Sequence, residues 1–150
     1  MGTINVGAGN SSYLHAGSSG LLSPMIWRIL SARALLAMGG IHLYLVFDGV
    51  GGVLGVLFVL NAIGGLLLAV AVLAAPRRFL LLASLLGLLF MAGTLLALVL
   101  ALTVGLFGIT ETIDFTLVPT TLVVESIGSI VLAVTTVLAY RMQRVRPRHN

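Results

Sequence analysis

Between Pro24 and Tyr140 the chain reads as four long apolar runs separated by three short polar breaks. An α-helix rises about 1.5 Å per residue, so about 20 apolar residues cross the roughly 30 Å hydrocarbon layer of a bilayer. The pattern predicts helices over 24–47, 50–74, 79–104 and 118–140. Ser23 suits an N-cap and Pro24 the first helical position, where no amide donor is needed; Pro119 repeats that arrangement at the fourth run. Trp27, Tyr44 and Tyr140 fall near the ends of runs, where interfacial aromatics collect. Arg28 and Arg33 lie within the first run, close enough to its start to snorkel toward headgroups. The expected fold class is an all-α membrane protein, a four-transmembrane-helix bundle spanning 24–143. The Gly-, Ser- and Asn-rich residues 1–23 lack a charged segment followed by an apolar core. They read as a flexible polar tail rather than a signal peptide, and 144–150 as a basic tail.

Composition strengthens the membrane reading. The chain is 59% hydrophobic and 8% charged, whereas a soluble domain carries about a quarter charged residues to wet its surface. The net charge of +4 does not indicate nucleic acid, because the eight basic residues, all arginine, sit at the ends of apolar runs. Arg28 and Arg33 open the first run, Arg77 and Arg78 fill the second break, and Arg141, Arg144, Arg146 and Arg148 follow the fourth run. Asp48, Glu111 and Asp114 occupy the other two breaks. By the positive-inside rule both termini and the central break face the cytoplasm of a bacterial cell, with the chain a multi-pass protein of the plasma membrane. Cysteine is absent, which excludes disulfides and thiolate chemistry.

Helices in lipid associate through close packing and polar contacts rather than through hydrophobic drive. Gly93, Ala97, Ala101 and Gly105 recur at four-residue spacing, as do Thr121, Glu125, Ser129 and Ala133, and Gly51 with Gly55 and Gly65 with Ala69. Each set falls on one helix face. These faces read as packing seams, either within a single bundle or between copies in a homo-oligomer.

The polar residues inside the runs are the candidates for chemistry. Counting along the helix places His42 about 7 Å and Glu125 about 10 Å below the same membrane surface. Asn61 and Thr94 both fall near the midplane. Ionisable groups in hydrocarbon are costly unless partnered or wet, so a His42–Glu125 contact is expected. Two readings of that pair stay open, a structural one fixing helix register and a functional one as a proton relay or ligand site. His42, Asp48, Glu111, Asp114 and Glu125 share one side, but no tight ligand spacing marks a metal site. Glu111 and Asp114 read more simply as loop charges, and His15 and His149 lie in the tails. Nucleophile-elbow, zinc-protease and phosphate-loop motifs are missing, and one intramembrane histidine cannot ligate haem on both faces. No motif calls for a cofactor.

The segments "IHLYLVF", "GVLFVLNAIGG", "LTVGLFGITET" and "LVVES" resemble a group of small four-span membrane proteins of actinobacteria. The resemblance covers about residues 30–140 and implies that His42, Asn61, Glu111 and Glu125 match recurring positions; it implies no activity. Three functional readings follow from the residues. The first is a non-catalytic component that packs against another membrane protein or itself. The second is a proton-coupled transporter or small-ligand or metal-binding protein using His42 and Glu125. The third is a membrane subunit of an oxidoreductase. The partners these readings imply are the lipid bilayer and a membrane-protein partner or second copy, with no nucleic acid.

Overall fold

The computed structural model describes residues 24–105, 108, 110, 112–115 and 117–144. The expected N-terminal tail with Ser23 and His15, the C-terminal residues from 145 onward with His149, and the loop acid Glu111 lie outside the described residues. Four helices follow in order: α1 Pro24–Phe47, α2 Gly52–Ala74, α3 Arg77–Thr103 and α4 Val118–Arg144. Each is long and apolar enough to cross a membrane. Short links turn consecutive helices antiparallel, so every described arginine gathers at one end of the bundle and Asp48 and Asp114 at the other. These are called the arginine end and the acidic end below.

The helix ends have local causes. α2 stops at Ala75–Pro76, because proline has no amide to continue the ladder. Pro76 then serves as N-cap of α3 and its carbonyl receives the amides of Phe79 and Leu80. Arg77 and Arg78 therefore sit in the first turn of α3, not in a loop. α3 ends where Gly105 adopts a left-handed φ of 81° and its amide reaches back to Leu100 O at 2.9 Å. That backbone favours glycine, so Gly105 is a helix stop rather than part of a packing seam. α4 continues to Arg144, placing Arg141 and Arg144 in its last turn, where cations complement the helix dipole.

Arg28 has a specific partner in the structure. Its guanidinium turns onto the C-terminal end of α2, with Nε donating to Val72 O at 2.9 Å and Nη2 donating to Ala75 O. The last carbonyls of a helix have no intrahelical partner. Arg28 supplies one and fastens α1 to α2 at the arginine end.

Small residues set how closely the helices approach. A Cβ on Gly65 would lie 2.9 Å from Leu35 O, and one on Gly39 would lie 3.3 Å from Ala62 O, so α1 and α2 meet nearly backbone to backbone. α4 closes on α1 and α3 through Gly128, where a Cβ would meet Met91 Cε at 2.9 Å and Ala34 Cβ at 3.1 Å. Ser31 Oγ and Thr135 Oγ1, both buried, are 2.8 Å apart and join α1 to α4. In lipid such a bridge matters because close packing and polar contacts carry the association. Leu35, Met38, Val72, Met91 and Leu132 fill the centre and are fully buried. Around them Val53, Leu67 and Ile130 expose 69%, 63% and 65% of their surface, an apolar exterior that water would not tolerate over this area.

α2 and α3 are joined by the shortest link, yet they touch each other far less than α1 touches α2 or α3 touches α4. They meet where the ring of Phe90 lies across Gly64, 2.7 Å from where a Cβ would stand. From there toward the acidic end they part.

Candidate functional site

The space between the parting helices is a cavity of about 510 Å³ in the acidic half of the bundle. That volume lies within the range of about 300–1,000 Å³ typical of small-molecule sites. Its wall is mainly apolar, with Leu57, Leu60 and Leu89 at a rim that also faces the bundle exterior. Among the described residues four polar side chains line it, one from each helix: His42, Asn61, Thr94 and Thr121. Asn61 of α2 and Thr94 of α3, expected near one level, line the same cavity. Phe58 faces His42 edge-on, ring centroids 4.8 Å apart at 79°.

The small face of α3 takes a different part from the one its spacing suggested. Gly93 is exposed, and a Cβ built on it meets nothing within 4 Å; Gly93, Ala97 and Ala101 line the cavity instead of a partner helix. Of the three, Ala101 alone is buried. On α4 the close approach runs through Gly128, while Ser129 is half-buried and its Oγ has no hydrogen-bond partner. The small side chains of α3 thus make room rather than contact.

The expected His42–Glu125 contact does not form. His42 is buried, and its Nδ1 donates to Met38 O at 2.9 Å one turn back on α1. Its ring lies beside Phe58 of α2 and the cavity. Glu125 has no exposed surface, and neither carboxyl oxygen has a hydrogen-bond partner. Thr94 sits beside that carboxyl, but its hydroxyl donates to Met91 O at 2.8 Å. Matching depth brought the two residues to similar levels; the rotation of α1 and α4 about their own axes aimed them differently. Thr94 stands between the cavity and the buried carboxyl.

Of the loop acids, Asp48 and Asp114 are exposed. Among the described residues no three His, Asp or Glu side chains gather as a metal site would require. Three contributors carried no sequence signal for a cavity. Phe58 and Phe90 are indistinguishable from lipid-facing aromatics in an apolar run, and Thr121 counted only as part of a small-residue face.

Fold and cavity together define a class: a four-helix bundle with helices long and apolar enough to span a membrane and a partly polar cavity among them. Comparison with protein-family models, curated proteins and solved structures finds no match to this chain.

Proposed function

We propose that this protein is a multi-pass protein of the bacterial plasma membrane that binds a lipophilic molecule, admitted sideways from the bilayer between α2 and α3. The observation carrying this reading is the cavity of about 510 Å³, with apolar walls, a rim among lipid-facing leucines and four polar side chains converging inside. Such a combination is the usual form of a ligand site, apolar for affinity and polar at a few points for orientation. Association with another membrane protein or a second copy has less support, because the small face of α3, one of the seams that suggested it, lines the cavity. A filled site is expected to deliver a lipophile when the protein is purified gently and extracted with organic solvent, at a fixed stoichiometry by mass spectrometry. Gly93→Phe, whose side chain has open space to enter, should abolish that recovery without unfolding the bundle. Equal recovery from both would sink the proposal.

The orientation we propose puts the arginine end, with both termini, in the cytoplasm and the cavity in the outer half of the bilayer. Separation of six described arginines (28, 33, 77, 78, 141 and 144) from Asp48 and Asp114 supports it. A reporter inserted after Gly108 is expected to be active only outside the cytoplasm, and cytoplasmic activity would reverse the assignment.

A further inference from the structure

The hydrogen-bond bookkeeping of the cavity constrains what its ligand carries. A carbonyl can only accept, so the bond from His42 Nδ1 to Met38 O places a hydrogen on Nδ1. In the neutral ring Nε2 is then an acceptor, and it is the polar atom His42 has left to offer. Thr94 spends its hydroxyl hydrogen on Met91 O at 2.8 Å, and Glu125, the other acceptor beside it, would consume the same hydrogen. Thr121 spends its own on Leu117 O, also at 2.8 Å. Each hydroxyl keeps lone pairs and nothing to donate. Among the described lining residues Asn61 is the one side chain with both donors and an acceptor. Three of the four polar groups in the cavity therefore present acceptors.

Charge narrows the choice further. Among the described residues no arginine, aspartate or glutamate lines the cavity. An anionic head would meet lone pairs and no cation among the described lining residues, and a cationic head would find no carboxylate in the wall, Glu125 standing behind Thr94, in a medium where isolated charge is costly. A head offering only carbonyl oxygens would find a donor in Asn61 and none elsewhere.

We propose that the ligand is an uncharged lipophile whose head donates a hydrogen bond, a hydroxyl on a long apolar chain, its one hydrogen received by His42 Nε2 or by the Thr94 oxygen. The inference rests on the ligand-binding reading above. The apolar chain lies along Leu57, Leu60 and Leu89 toward the bilayer, and the head lies among the polar groups of the cavity.

The natural chain has no cysteine, so Ala97→Cys in the cavity wall gives a single reporter. Its rate of labelling by a membrane-permeant maleimide is measured in phosphatidylcholine nanodiscs against 1-dodecanol, dodecyl methyl ether, dodecylamine and dodecanoate. Dodecanol is expected to slow labelling saturably, at a concentration about 5- to 10-fold below that of the ether, as one net hydrogen bond requires. Thr94→Val, which keeps side-chain shape, or His42→Leu should shrink that ratio, whichever removes the acceptor; persistence of the full ratio in both would overturn the assignment. Equal protection by alcohol and ether overturns the donor requirement and leaves the cavity a lipophile site. Stronger protection by the amine or the carboxylate overturns the uncharged head. If no probe protects saturably, the ligand-binding reading itself falls.

Discussion

Gly65→Leu is expected to leave little folded protein after solubilisation, with the loss visible as aggregation on size exclusion and as a missing thermal transition. A Cβ at this position lies 2.9 Å from Leu35 O and 3.6 Å from the Cα of Gly39. The obstructing atoms are backbone, which cannot rotate away as a side-chain tip can. α1 and α2 must separate, and with them goes the carbonyl capping by Arg28 at the arginine end. Gly65→Ala, adding the Cβ alone, should cost about 1–3 kcal/mol, the usual scale of overpacking, out of a total stability of about 5–15 kcal/mol. Gly40→Leu is the matched control, since a Cβ there meets nothing within 4 Å. It should melt at or slightly above the natural chain, because leucine is the better helix former. Equal melting of the Gly65 and Gly40 variants would mean that α1 and α2 do not approach at this point.

Glu125→Met is expected to raise stability, by about 1–3 kcal/mol on the scale of an unpaired buried polar group. The carboxyl has no exposed surface, and Thr94 beside it donates its hydroxyl hydrogen to Met91 O, so removal of the carboxyl leaves that bond in place. Methionine is unbranched and fills irregular space; Met91 already packs on the same face of α4 at Gly128. Glu125→Gln should fold like the natural chain. A substantial loss of stability in the Met variant would show that the carboxyl holds a partner, with His42 the first to test. A residue that costs stability where it stands is a functional candidate by default in a membrane. Thr94, between Glu125 and the cavity, is the route by which it would sense a ligand.

Why the architecture was legible and much of the site was not has one physical cause. Crossing a membrane imposes length and apolarity on each helix, and turns impose polar breaks, so four helices and their order can be read along the chain. In lipid both the interior and the exterior of the bundle are apolar, and the periodicity that marks a buried face in water fades. Depth can still be counted from the ends of each run, and it is by that count that His42, Asn61, Thr94 and Glu125 are assigned their levels. Rotation about each helix axis does not survive. His42 therefore turned to Phe58 and the cavity, while Glu125 became buried with its carboxyl beside Thr94.

Small residues carried the same ambiguity. Gly65 and Gly93 look alike in sequence, but Gly65 admits a neighbouring backbone and Gly93 opens onto a cavity. Arg28 joined the carbonyls of Val72 and Ala75, more than 40 positions away. Nothing near it in the sequence marks those partners.

The central claim is that the space between α2 and α3 belongs to the lipid phase and receives an apolar chain. Nuclear Overhauser contacts in lipid nanodiscs test it most directly, read at the methyl groups of Ala97 in the cavity and Leu35 in the core. Cross-peaks from acyl methylene protons to Ala97, with none to Leu35, are the predicted result. Cross-peaks to Ala97 from water, or from neither water nor lipid, would contradict it, making the cavity an aqueous vestibule or a closed one.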